Sequence, residues 1–189
     1  MGHWVKGYKE SGVGFYGENM LVGIMSDTHD NLPAIRKAVE FFNEKGVELV
    51  IHAGDFIAPF VARELKRLKA PLKGVFGNND GERKGLYEAL GVCDEILEIE
   101  ADGMKIAVTH GTDERIVRAL ARSRLYDVVI VGHTHRYEIM EEGRTILVNP
   151  GEVCGYLTGI KSVALLDTRR REVKILDIET GELLGAMSL

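Results

Sequence analysis

Five apolar runs of this chain each end abruptly in a short polar motif, and that pattern limits the folds open to it. The motifs are SDTH at 26–29, HAGD at 52–55, GNND at 77–80, THG at 109–111 and GHTH at 132–135. Runs that are apolar throughout read as strands buried on both faces, and loops after the carboxyl ends of such strands form the usual ligand crevice of α/β sheets. A fold that lays these strands side by side brings the five motifs to one edge. As ligands they offer two carboxylates (Asp27, Asp55), one carboxamide (Asn78) and four imidazoles (His29, His110, His133, His135). No ordinary core needs that set at strand ends, and the four imidazoles come from only six histidines in the chain.

The segments between the motifs fill in the architecture. MLVGIMS reads as a buried strand and LPAIRKAVEFFNEKG as an amphipathic helix, with Ile35, Val39 and Phe42 on one stripe. Asn31 and Pro33 suit its start and Gly46 its C-cap. VELVIHAG is the second strand, APFVARELKRLKA the second helix and PLKGVFGN the third strand, an alternation that implies parallel pairing. The second half turns to hairpins. CDEILEIEADGMKIAVTHG bends at Ala101–Gly103, RYEIMEEGRTILVNPG at Glu142–Gly143, and KSVALLDTRRREVKILDIET at the basic turn Arg169–Arg171. Between the first two lie a helix, TDERIVRALARSR, and a strand, YDVVIVGHTH. The expected fold class is α/β, with two stacked mixed β-sheets flanked by helices. Residues 1–19 show no helical or strand period. They are expected to be an extension, extra or poorly ordered, of native or non-native origin, and their His3 receives no role. Residues 20–189 are expected to form a single domain.

Composition excludes several function classes. A chain of 189 residues buries about two-thirds of its unfolded surface, so it needs no disulfide or structural metal to fold. A net charge of −5 argues against an extended nucleic-acid surface. No apolar run approaches the ~20 residues that span a bilayer, and the N-terminus has no signal-peptide core. Cys93 and Cys154 stand far apart and read as free thiols in a reducing compartment, so a cytoplasmic protein is expected. The chain has no glutamine and abundant Lys, Arg and Glu, a composition of the thermophile type.

The motif chemistry points to metal. Asp27 and His29 are two apart, and in extended backbone such residues share a side; His133 and His135 repeat the spacing. A carboxylate such as Asp55 suits bridging two ions about 3.5–4 Å apart. Imidazole and carboxylate donors without thiolate suit Mn²⁺, Ni²⁺, Fe²⁺, Co²⁺ or Zn²⁺, and the set is too large for a closed structural zinc site. Two divalent ions outweigh the negative charge of Asp27, Asp55 and one bridging hydroxide, so the cluster favours a phosphate-like anion. The chemistry that fits is in-line attack of the bridging hydroxide on a phosphoester.

The ordered series of motifs resembles the signature of the calcineurin-like metallophosphoesterase superfamily, and the short length and GNND resemble its small bacterial and archaeal phosphodiesterases. The resemblance covers roughly residues 20–180. It implies a four-layer αββα sandwich and a dinuclear centre, with Mn²⁺ or Ni²⁺ as the first expectation. Asp27, His29, Asp55 and His135 would hold one ion, and Asp55, Asn78, His110 and His133 the other. Asp55, Asn78 and Asn79 would form the catalytic group. Many family members carry His where this chain has Asn79. An amide is a poor acid, so a preference for diesters over alkyl monoesters is expected. Asp80 is expected to orient a neighbouring group. His52 reads equally as a second layer around the metals or a proton donor, and as a buried structural histidine. Asn149 and Pro150 open a loop, NPGE, that the resemblance places near the site. Arg136 reads as a solvated strand residue, with phosphate binding as the alternative, and Tyr156 and Cys154 as pocket lining or packing.

These readings converge on an enzyme, a phosphodiesterase acting on a small phosphoester. A phosphomonoesterase or nucleotide phosphatase is the alternative within that chemistry, since no inserted cap encloses the site. A different class is a non-catalytic protein-interaction scaffold, like a eukaryotic retromer subunit of similar fold. All seven ligand positions are filled here, which argues for catalysis. The resemblance also implies a homodimer or higher symmetric oligomer. Phe56, Ile57, Pro59 and Phe60 suit either an apolar interface or a helix start.

Overall fold

The computed structural model describes residues 13–17, 19–92 and 94–189. His3 and Cys93 lie outside them, as does most of the segment expected to be an extension. The elements run β1 (Val13–Tyr16), β2 (Leu21–Met25), α1 (Leu32–Lys45), β3 (Leu49–His52), α2 (Ala62–Leu65), β4 (Leu72–Gly74) and α3 (Arg83–Leu90). They continue with β5 (Ile96–Ala101), β6 (Met104–Thr109), α4 (Glu114–Arg122), β7 (Val128–Ile130), β8 (Tyr137–Glu142), β9 (Thr145–Pro150), β10 (Ser162–Asp167), β11 (Glu172–Asp177) and β12 (Leu183–Ser188).

Two six-stranded mixed sheets result, in the orders β12-β11-β10-β2-β3-β4 and β1-β5-β6-β7-β9-β8. In the first, β2, β3 and β4 run parallel, and in the second β6, β7 and β9 do. Period-two alternation explains why the central strands are apolar throughout. Val22, Ile24, Leu49 and Ile51 face Ile106, Val108, Val128 and Ile130 in one core between the sheets. The intervening Met25 and Val50 point outward, into a second core with Ile35, Val39 and Phe42 of α1. Val129 does the same beneath α4, with Ala107, Ala121 and Leu147. Helix, sheet, sheet and helix are thus four layers, as expected.

The first helix and all three hairpins stand where the sequence puts them. Asn31 caps α1 through Ala34 N at 3.3 Å, and Gly46 closes it in the left-handed conformation. Asp102 and Gly103 turn the first hairpin, both with positive φ, as a tight two-residue hairpin turn requires.

Other expectations are corrected. The long second helix shrinks to a 3-10 turn, Pro59–Val61, and one turn of α2; Arg67 and Leu68 then close tighter i→i+3 bonds to Glu64 and Leu65. Helix α3 leaves no clear signal in the sequence because Gly85 interrupts it. A Cβ there would lie 2.4 Å from Pro59 Cγ, so glycine serves close packing rather than a break. Val13–Tyr16 lacks a strand pattern of its own and gains its ladder from parallel pairing with Glu98–Ala101 of β5. Strand β12 carries little sequence pattern because it is an exposed edge with little burial to impose alternation. No helix among the described residues is long and apolar enough to cross a membrane.

Contact between α1 and the first sheet depends on Gly23, where an added Cβ would lie 2.8 Å from two ring carbons of buried Phe42. Gly23→Ala is expected to cost about 1–3 kcal/mol through overpacking, read as a lower denaturant midpoint. An unchanged midpoint would show that the helix shifts freely on the sheet.

Candidate metal centre

All five motifs lie at or just beyond the carboxyl ends of β2, β3, β4, β6 and β7, and backbone hydrogen bonds stitch the loops there together. Asp27 N donates to Gly54 O at 3.0 Å, and Thr28 N and His29 N both donate to Asp55 O at 3.1 Å. Gly132 N donates to His110 O at 2.9 Å, and His133 N to Asp27 Oδ2 at 3.1 Å. The loops approach closely because glycine removes the obstructing atom. A Cβ on Gly77 would lie 2.1 Å from Asp55 Oδ1, and one on Gly132 2.0 Å from Ser26 Oγ.

Asp27, His29, Asp55, His133 and His135 all have positive φ, between 52° and 68° except for His29 at 40°. This corrects the extended-backbone reading of the DTH and HTH spacings. Asp27 and His29 do converge, with His29 Nε2 3.6 Å from Asp27 Oδ1, but through left-handed backbone. His133 and His135 point apart: His135 Nε2 lies 3.5 Å from Asp27 Oδ1, whereas the His133 ring meets His110 edge-on at 5.3 Å. Non-glycine residues in this region are strained by about 1–3 kcal/mol each and gather at functional sites.

Asp55 stands at the middle. Its Oδ2 is 3.4 Å from His29 Nε2 and 3.4 Å from His110 Nε2. Asn79 donates from its backbone N to Asp55 Oδ1 at 2.9 Å and from its side-chain amide to Oδ2 at 2.7 Å. Burial pushes the Asp55 carboxyl up, but the nearby His110 imidazole and the hydrogen bonds from Asn79 prevail and hold it well below the ordinary range. The Asp27 carboxylate, with Oδ1 3.6 Å from Nε2, raises the imidazole of His29. Burial opposes the charge on His110, yet Asp55 raises it on balance. Asn78 Oδ1 lies 3.1 Å from His110 Nε2 and accepts from Thr112 Oγ1 at 3.2 Å. The structure therefore brings all seven expected ligand residues to one place.

Their donors fit a metal. Among the described residues, the buried side-chain polar atoms left without a hydrogen-bond partner are Asp27 Oδ1 and His29 Nε2. Both belong to a group, Asp27, His29 and His135, whose ligand atoms lie within 4.8 Å of one another; Asp27, Asp55 and His110 form a second such group. An orphaned buried carboxylate oxygen is costly unless a cation answers it.

The surrounding residues take definite roles. Asp80 accepts from Asp55 N at 3.1 Å, Ile57 N at 2.7 Å and Gly77 N at 2.7 Å, so it orients the Asp55 loop as expected. His52 is structural: Gly54 N donates to its Nδ1, which leaves the proton on Nε2, 3.1 Å from Thr28 Oγ1. Burial lowers its pKa to about 3, and its ring stacks on Phe56 at 3.6 Å. Asn149 donates to Gly132 O and Thr134 Oγ1 and accepts from Gly151 N, fixing the GHTH loop. Arg136 and Tyr156 are exposed, while Cys154 is buried and free.

Sequence reasoning missed Glu152. Its fully buried carboxylate accepts from His135 Nδ1 at 2.7 Å, Cys154 Sγ at 3.1 Å, and the backbone N–H groups of Tyr156, Leu157 and Thr158. Burial works against the charge, but these donors pull the pKa down to about 2. A carboxylate behind a ligating histidine fixes its tautomer and aims its other nitrogen. The signal was an acidic residue inside the otherwise uncharged stretch Asn149–Tyr156.

Residues 20–171 match the calcineurin-like phosphoesterase superfamily domain. This chain belongs to that superfamily. It is 46% identical over 166 residues to Phosphodiesterase MJ0936 of Methanocaldococcus jannaschii, which covers 85% of this chain and 100% of the relative. A solved archaeal phosphodiesterase, also 46% identical, superposes with a TM-score of 0.80 over 84% of this chain and 99% of its own. Vacuolar Protein Sorting 29 of Cryptosporidium parvum superposes at 0.68 over 91% and 100%, but at 19% identity that likeness speaks for the fold alone.

Glu152→Gln keeps the shape and removes the charge behind His135. Metal affinity is expected to fall about 10–100-fold, as measured by calorimetric titration with Mn²⁺. Unchanged affinity in a variant of unchanged melting temperature would mean that Glu152 merely ties down its loop.

Proposed function

We propose that this chain is a dinuclear metal-dependent phosphodiesterase acting on a small phosphoester. The observation that carries the reading is the single oxygen Asp55 Oδ2, equidistant from His29 and His110, beside the orphaned Asp27 Oδ1 and His29 Nε2. That arrangement suits one carboxylate shared between two ions. Asp27, His29, Asp55 and His135 would hold the first, and Asp55, Asn78, His110 and His133 the second. Mn²⁺ or Ni²⁺ is the leading expectation, with Fe²⁺, Co²⁺ and Zn²⁺ compatible with the same donors. When bound, such ions withdraw charge from phosphate oxygens and lower the pKa of water.

The chain's own residues supply position. Asp80 and the Asn79 amide lock Asp55 in place, and Glu152 orients His135. Asn79 has no proton to give at neutral pH, so the reading favours esters whose leaving groups need little protonation. The phosphodiesterase name of the 46%-identical archaeal relative supports the same preference. The fold does not separate enzyme from scaffold, because a vacuolar sorting protein shares it. The complete ligand set favours the enzyme.

Three experiments test this. Metal-stripped protein is expected to hydrolyse bis(4-nitrophenyl) phosphate only after Mn²⁺, Ni²⁺ or Zn²⁺ is returned. Asp55→Asn is expected to lose bound metal and at least about 100-fold in turnover, since a direct ligand should matter no less than the groups behind it. Wild-type turnover with unchanged metal content would sink the shared-carboxylate assignment. Asn79→His would install an acid beside the centre. The ratio of monoester to diester kcat/KM is expected to rise about 10-fold or more, and an unmoved ratio would remove Asn79 from specificity.

A further inference from the structure

Beside the metal centre lies a groove of about 650 Å³, and His133 and Gly132 of the GHTH loop line its near end. That size falls within the about 300–1,000 Å³ of small-molecule sites. It lies where α4 packs over β7 and β9, with the edge strand β8 as its other wall and the Arg122–Glu142 pair joining α4 to β8. Ile139 of β8 turns into the sandwich core, so its neighbours Glu138 and Met140 face the groove. Val117, Ala121 and Leu147 provide an apolar floor, and Met140 stands at the wall with 45% of its surface exposed.

Charge narrows the occupant. Arg118 and Arg122 line the groove, but each is already paired, to Glu114 and Glu142 respectively. Glu138 adds a third carboxylate against the two guanidinium groups. A phosphate or carboxylate arm would meet net negative charge there. A flat uncharged ring would instead find an apolar floor, a thioether and guanidinium planes, all of which pack well against aromatic faces.

We propose that this groove binds an uncharged aromatic ester arm of the substrate while the phosphoryl group sits at the metal centre. The inference rests on the phosphoesterase reading and extends it to the substrate class, a phosphodiester with at least one aryl or nucleobase-like arm. Met140 and Val117 are then specificity residues with no part in holding metal.

The test uses the Zn²⁺-loaded full chain labelled at its methionine methyl carbons, with the Met140 signal assigned through Met140→Leu. Diphenyl phosphate is expected to shift the Met140 methyl signal by ring current, and dimethyl phosphate at equal occupancy to leave it in place. Met140→Glu, on an exposed wall, is expected to weaken diphenyl phosphate binding about fivefold or more by adding an unpaired charge, with dimethyl phosphate binding unchanged. A Met140 signal that stays still at saturating diphenyl phosphate, or moves equally with both esters, would overturn the groove assignment. Hydrolysis of aryl diesters with a silent Met140 rejects the groove and keeps the enzyme. A moving Met140 in a protein that cleaves no phosphoester keeps the groove and rejects the enzyme.

Discussion

Asp55 ties the working edge of this protein together through its peptide as well as its side chain. Its carbonyl receives the N–H groups of Thr28 and His29, its own N–H is held by Asp80, and its carboxylate receives both nitrogens of Asn79. Three strand-end loops are thereby fixed relative to one residue. The imidazoles of His29 and His110 then fall at equal distances from one oxygen. Had these loops been free, the ordering cost would fall on metal binding itself, weakening it.

The same edge concentrates strain. Left-handed backbone recurs at Asp27, His29, Asp55, His133 and His135, and close glycine contacts bring Gly77 and Gly132 against side chains of the neighbouring loops. Such conformations persist only where the surroundings over-determine them. Here the surroundings are a sandwich core of fully buried aliphatic side chains and hydrogen bonds that leave few buried groups unanswered. Among the described residues, the buried side-chain atoms left unanswered, Asp27 Oδ1 and His29 Nε2, lie together at the site. Stability and function are thus spatially separated: the strands hold, and the loops at their ends carry the strain and the chemistry.

Much of this was legible in the chain. Buried parallel strands leave continuous apolar runs, a capped amphipathic helix leaves a stripe between Asn31 and Gly46, and Asp-Gly marks a hairpin. Elements that depend on a neighbour left weaker traces. Helix α3 is interrupted by a glycine that Pro59 requires, β1 relies on β5 for its ladder, and β12 is an edge with little burial. Glu152 escaped notice because its partner His135 reaches it only after the strands have been stacked.

The sequence by itself determined the fold class, the superfamily and the identity of the seven clustered residues, because residue type and order are what strand ends and ligand motifs are made of. Tertiary structure alone decided how they face one another. It set the left-handed turns that aim Asp27 and His29 inward, the divergence of His133 from His135, the neutral burial of His52, and the groove left open between α4 and β8. Direction in space is set by contacts between segments far apart in the chain, and no local spacing encodes those contacts.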